Sequence, residues 1–183
     1  MNLHRIYYPT LALGPGKRIG IWTRGCSLNC KNCMSVELQT TAAKFEIPLE
    51  HIIDSLEFIF SHNLVNGVTI SGGEPFEQYE EIIKLLSYLN TKTQDILIYT
   101  GYTPEELKSK FDYNTIKNLS GALIAGKYIE EKNDGSALIG SSNQVLIFNR
   151  ESLKNKYKKI LTDKRTIQLV NTSKSIFSIG ILG

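Results

Sequence analysis

Between Val65 and Pro75 the chain reads VNGVTISGGEP, a short apolar run closed by two glycines and a proline. On its N-terminal side, starting at Pro48, LEHIIDSLEFIF places Leu49, Ile52, Ile53, Leu56, Phe58 and Ile59 near a helical period. With Pro at a favourable first position, this predicts a helix of about four turns. On its C-terminal side Tyr79, Ile82, Ile83, Leu85 and Leu86 carry the same period. The segment is therefore a strand between two helices, ending in two glycines.

The pattern repeats outward in both directions. DILIYTGY is a second strand, and TPEEL opens a helix with Thr103 as N-cap, Pro104 at N1 and Glu106 at N3, the composition of a capping box. GALIAG follows as a third strand. Before the first helix, Arg18–Thr23 reads as a short apolar strand, and RGCSLNCKNCMS after it has no helical or strand period. Strands alternating with helices predict an α/β fold with βαβ units, a parallel sheet and right-handed crossovers. Ligands bind such sheets beyond the carboxyl ends of the strands. Three unusual segments fall at that edge: the cysteine loop, the turn at Gly72–Gly73, and Tyr99–Thr100–Gly101. The last residues change character, with a lysine-rich helical stretch from Glu151 to Lys159 and two apolar runs, TIQLV and SIFSIGI, that read as terminal strands.

The chain has 183 residues, a formal net charge of +3 and three cysteines, all within eight positions. This length fits one domain spanning residues 1–183, since a core of that size removes roughly 70% of the unfolded chain's surface from water. The basic residues are spread along the sequence, so composition makes no case for nucleic acid or a membrane surface. MNLHRIYYPT carries no basic stretch followed by an apolar segment, and no window is long enough to cross a bilayer. The expected location is the cytoplasm. Three clustered cysteines are not a disulfide framework, and they point to metal ligation in a reducing compartment.

Cys26, Cys30 and Cys33 follow a Cys-x3-Cys-x2-Cys spacing, which lets one loop wrap three thiolates around one side of a cubane and leaves a fourth iron without a protein ligand. A structural zinc is the alternative. It wants four protein ligands, and beyond the cysteines only His4, His51 and His62 are on offer, the latter two on or at the end of the first predicted helix.

GPGKRIGIWTRGCSLNCKNC resembles the cluster loop of radical S-adenosylmethionine (SAM) activating enzymes, the activators of glycyl radical enzymes such as anaerobic ribonucleotide reductase. SGGEPFEQ at Ser71–Gln78 resembles the GGEP segment of that family, IYTGYTPEEL at Ile98–Leu107 its following strand and helix, and GKYIEE and GSSNQ its later landmarks. The four segments keep the family order over roughly residues 14–148, leaving about 149–183 as a C-terminal extension. The resemblance implies a short radical SAM core, a partial (β/α) barrel of parallel strands with alternating helices. It also implies a 4Fe–4S cluster on Cys26, Cys30 and Cys33, with SAM at Gly72, Gly73, Glu74 and Pro75 and, on even terms with a packing role, at Tyr99 and Thr100.

The implied reaction is reductive cleavage of SAM to a 5′-deoxyadenosyl radical that generates a glycyl radical on a large partner enzyme, fed by a low-potential flavodoxin or ferredoxin. Gly72 and Gly73 would let the SAM amino group approach the backbone, Glu74 would accept from the ammonium and Pro75 would stiffen the turn. Several positions depart from the family pattern. Asn32 stands where many members carry an aromatic residue, and Gly121 and Ala125 stand where reductase activators carry aspartates. This leaves open a peptide, nucleotide or small-molecule substrate, and a non-catalytic Fe–S or zinc module is the reading from a different class. Trp22 reads as core, Arg24 as either near SAM or in solvent, Asn143 and Gln144 as capping or turn residues, and Lys154, Lys156, Lys158 and Lys159 as a solvated helix face that would otherwise steer docking.

Overall fold

The structure is a computed structural model that describes residues 1–173 and 176–181. Its main sheet has six strands in the order β1 (Leu3–Thr10), β2 (Arg18–Thr23), β3 (Gly67–Gly72), β4 (Ile96–Thr100), β5 (Ala122–Ala125) and β6 (Val145–Phe148). β2 to β5 run parallel, and β1 and β6 flank them antiparallel. The connections carry α1 (Leu49–His62), α2 (Tyr79–Lys92), α3 (Pro104–Lys110) and α4 (Tyr113–Leu119). The chain then adds α5 (Leu153–Thr162) and a separate two-stranded hairpin of β7 (Gln168–Asn171) and β8 (Ile176–Ile179).

The expected strands and helices of the central unit are all present, including the Thr103–Glu106 capping box. Both terminal runs form strands; Ser175 in the second, and Leu182–Gly183 at the end of the extension, lie outside the described residues. The sheet is open: β1 and β6 are its edges and do not meet, so no barrel closes among the described residues.

The parallel register explains how one sheet serves two cores. Ile21, Ile70, Ile98 and Leu123 stand side by side across β2 to β5. They pack in one cluster with Ile52 and Leu56 of α1, Ile82, Leu85, Leu86 and Leu89 of α2, Leu107 of α3 and Ile116 of α4. Leu97, Ala122 and Ile124 take the opposite face and pack with Leu138 and with Leu153 and Tyr157 of α5. A third cluster joins Val170, Ile179 and Ile181 to Leu13, Trp22 and Tyr99. The chain's own C-terminal segment thus covers the face that a closing barrel would enclose.

Candidate functional site

β2 ends at Thr23, and the cysteine loop begins directly after it, stitched down by main-chain hydrogen bonds. Gly25 N donates to Leu38 O at 2.8 Å and Cys26 N to Gln39 O at 2.9 Å. Asn29 and Asn32, the residues before Cys30 and Cys33, both lie in the left-handed region, with φ of 47° and 54°. Asn is among the few residues that adopt this conformation readily. The loop geometry therefore accounts for Asn32. The three half-buried cysteines line one pocket of about 140 Å³ with Gly72, Gly73 and Glu74 after β3, Tyr99, Thr100 and Gly101 at the end of β4, and Gly126, Tyr128 and Gln144 beyond β5. All of these segments lie at the carboxyl edge of the parallel strands.

Burial pushes the Cys26 thiol up, opposed by the Leu28 amide. Cys30 is raised by burial and by Cys33, while the Tyr128 amide and the Lys127 charge act the other way. Amides aimed at sulfur favour a thiolate bound to iron. Among the described residues no three His, Cys, Asp or Glu side chains gather on a single point fit for one metal ion. The three cysteines instead line the wall of the pocket. Three sulfur donors beside a glycine-lined wall fit a cubane cluster better than a four-ligand zinc. His51 and His62 are exposed, and His62 is occupied locally by Ser61 and Phe58 O.

The GGEP turn is the seat of the cysteine loop. Gly73 N donates to Thr23 O at 3.0 Å and Glu74 N to Gly25 O at 2.7 Å. A Cβ on Gly73 would stand 2.2 Å from Gly25 O, and one on Gly72, at φ 111°, 2.4 Å from Thr23 O. Both glycines are thus required first by the chain's own backbone. Pro75 opens a 3-10 turn, Pro75–Gln78, whose side chains grip the loop further. The Glu77 carboxylate accepts from Ser27 N and Ser27 Oγ, each at 2.6 Å, and Gln78 Nε2 donates to Arg24 O at 2.9 Å. On the far side, Asn32 Nδ2 donates to the Glu130 carboxylate.

Glu74 is buried at 1% exposure, and its carboxylate accepts from Phe76 N, Thr100 Oγ1 and Gly101 N at 3.0, 2.9 and 2.7 Å. No cation neutralises it among the described residues, and burial raises its carboxyl from 4.5 to about 7. Between those two values the folded chain holds a proton that the unfolded chain has released, so stability falls as pH rises through this window. Thermal unfolding of the metal-free protein should therefore show a Tm that drops from pH 5 to pH 8 with a steeper slope than in Glu74→Gln. Equal slopes would remove Glu74 as the source.

Tyr99 and Thr100 line the pocket but already have partners within the chain. Tyr99 donates to Leu138 O at 2.8 Å, and Thr100 Oγ1 donates to Glu74 and accepts from Tyr102 N. Gln144 takes the expected turn role, accepting from Gly140 N and Ser141 N and donating to Gly126 O, while Asn143 donates to Lys127 O. Arg24 is neither beside the pocket nor in solvent: it is buried, bonded to Glu37 O and stacked 3.8 Å over Phe45. Trp22 packs in the C-terminal cluster. Gly121 leaves no room for an aspartate, since a Cβ would stand 2.5 Å from Gln94 O. Lys156 is ion-paired with Asp95 and Lys154 with Glu151, so neither is a free docking charge. Gly101 joins the pocket with Tyr99 and Thr100, while Leu28, Gly126 and Tyr128 join it without a sequence signal of their own; Tyr128 sits within GKYIEE, but nothing in that motif says its amide faces a sulfur.

Residues 12–147 match the family described as the 4Fe–4S single cluster domain. Among similar proteins is the anaerobic ribonucleoside-triphosphate reductase-activating protein of Escherichia coli (strain K12), 29% identical over 154 residues that cover 80% of this chain and 97% of that protein. The protein of the same name from Salmonella typhi is 30% identical over 155 residues, again 80% and 97%. That of Enterobacteria phage T4 is 28% identical over 157 residues, covering 84% of this chain and 97% of that protein.

Proposed function

Because the chain belongs to the 4Fe–4S single cluster domain family, with the anaerobic ribonucleoside-triphosphate reductase-activating proteins among its relatives, we propose that it is a radical SAM activating enzyme that generates a glycyl radical on a large partner protein. The observation that carries this is the meeting of Cys26, Cys30 and Cys33 with the Gly72–Glu74 turn around one pocket at the strand ends. When bound, a 4Fe–4S cluster supplies one electron to the SAM sulfonium, whose cleavage gives methionine and a 5′-deoxyadenosyl radical. In this reading the three cysteines hold the cluster, and the Tyr128 amide, aimed at Cys30, tunes it.

The buried Glu74 carboxylate accepts from the SAM ammonium, which supplies the neutralising charge its site lacks. Gly72 and Gly73 keep the turn low against the cysteine loop, Pro75 fixes the turn's exit, and Tyr99 and Thr100 form the wall that positions Glu74 and the cofactor. The chemistry supplied there would be removal of one hydrogen atom from a glycine Cα of the partner, with 5′-deoxyadenosine as the co-product. The pocket is open to solvent, so the docked partner must exclude water from that step, which favours a protein substrate over a small one. A flavodoxin or ferredoxin supplies the electron, and the free cysteines suit a reducing, cytoplasmic setting. No described helix is long and apolar enough to cross a membrane. The chain acts as one domain, because α5 and the β7–β8 hairpin pack on the sheet itself.

The test is anaerobic reconstitution with iron and sulfide, dithionite reduction, and electron paramagnetic resonance with and without SAM. The expected result is a reduced-cluster signal that shifts on adding SAM, formation of 5′-deoxyadenosine, and a glycyl radical doublet when the anaerobic ribonucleoside-triphosphate reductase of the same organism is added. Zinc in place of iron, or a cluster indifferent to SAM, would exclude the radical SAM reading.

A further inference from the structure

A second cavity, of about 290 Å³, lies between the cysteine loop and the C-terminal hairpin. One wall is Met34, Ser35 and Glu37 of the loop, the other is Phe177–Gly180, and Arg5 and Trp22 floor it. A smaller cavity of about 110 Å³ lies between it and the cysteine pocket: it shares Trp22, Met34, Ser35 and Gly180 with the first and Ser71, Tyr99, Tyr128 and Gln144 with the second. The two sites are therefore neighbours, with Met34 and Ser35 lining both.

Three features give the cavity its character. Four consecutive residues, Phe177–Gly180 of β8 and its end, line it. β8 pairs only with β7, and its other edge meets no strand among the described residues. The wall is also anchored. Gln168 Nε2 donates to Pro9 O and Gln168 Oε1 accepts from Leu11 N, both at 2.9 Å, and Arg165 Nε donates to Ser136 O at 3.0 Å. Arg5 lies 3.6 Å over the Phe177 ring, against which Tyr7 packs edge-on. The hairpin lies beyond residue 147, outside the stretch that matches the family.

We propose that this cavity is the cleft that receives the extended, glycine-bearing segment of the protein substrate, with the free edge of β8 as its main-chain wall. An extended polypeptide is the occupant that an unpaired strand edge recognises, by adding as a further strand. Arg, Trp, Met and Phe on the lining are the residue types enriched at protein interfaces. The shared wall with the cysteine pocket places such a segment beside the strand ends, where the hydrogen is taken. This proposal rests on the activating-enzyme reading and adds that this chain's own C-terminal hairpin selects the substrate segment.

Ser178 and Glu37 are exposed and stand on opposite walls, so each accepts a large side chain without disturbing the core. Ser178→Trp and Glu37→Trp are compared with the wild-type holoenzyme in two assays: 5′-deoxyadenosine formed with dithionite and SAM alone, and glycyl radical formed on the reductase. The expected result is deoxyadenosine formation within about twofold of wild type and glycyl radical formation reduced about tenfold or more in both variants. Unchanged radical formation in both would overturn the cleft. Parallel loss in the two assays would also overturn it, assigning the cavity to the cofactor instead. Absence of deoxyadenosine in the wild type is a failure of the activating-enzyme reading itself, and is distinct from either.

Discussion

Cys30→Ala is expected to reduce 5′-deoxyadenosine formation to the level of cluster-free protein while costing about 1 kcal/mol of stability, the ordinary size for a single substitution. Cys30 is half-buried, and its side chain belongs to none of the three hydrophobic clusters. Its removal therefore opens no core cavity. The loop keeps its anchors at Gly25, Cys26, Ser27 and Arg24 O, none of which uses the Cys30 sulfur. Two thiolates cannot hold one side of a cubane, so iron content after reconstitution should fall with activity. The check is iron per chain, the dithionite-driven deoxyadenosine assay and a thermal melt of the metal-free form. Turnover retained by Cys30→Ala would sink the ligand assignment. Loss of the metal-free fold would instead mean that the cysteine is structural.

The parts of this protein visible in its sequence are those where local pattern and tertiary position agree. β2 to β5 are nearly continuous apolar runs, the signature of strands buried on both faces, and Gly72 marks the end of one by its positive φ. The carboxyl-edge rule then brought three separate motifs to one place, and the pocket unites them. What escaped was carried by long-range pairing. β1 offers His4, Arg5 and Pro9 rather than a clean alternation, and it forms because it pairs with β2 and covers that edge. The grip of Glu77 on Ser27 spans fifty residues and that of Glu130 on Asn32 spans ninety-eight. No local period encodes either. In the sequence Gly72 and Gly73 read as room for a ligand's approach, yet in the fold their first obligation is to Thr23 and Gly25, because a sequence shows that a side chain is absent but not what fills its place.

The other large effect is expected at the opposite end of the strands. Arg18, at the start of β2, is fully buried; it donates to Thr69 Oγ1 at 2.7 Å, to Val68 O at 2.6 Å and to Asp95 Oδ1 at 3.0 Å. Asp95, just before β4, also accepts from Tyr157 of α5 at 2.6 Å and is ion-paired through its second oxygen with Lys156 at 2.6 Å. Burial alone would raise the Asp95 carboxyl, but the charge and hydrogen bonds of Arg18, with those of Lys156 and Tyr157, hold it below its ordinary value. Its contribution is thus present at neutral pH and lost as pH falls through the folded value, the reverse of Glu74. Asp95→Ala leaves the Arg18 cation buried without its counter-charge and the Tyr157 hydroxyl without an acceptor, a loss of about 3–5 kcal/mol. Urea unfolding of the metal-free protein should show the midpoint falling with the slope unchanged, while deoxyadenosine formation per folded, cluster-loaded chain stays near wild type, because the network lies away from the cysteine edge. A loss under about 1 kcal/mol would place the network among exposed ion pairs in its effect. The double variant Arg18→Met/Asp95→Ala separates pairing from packing: if the uncompensated cation is the cause, it loses less than the sum of the single variants, with a coupling of about 0.5–3 kcal/mol.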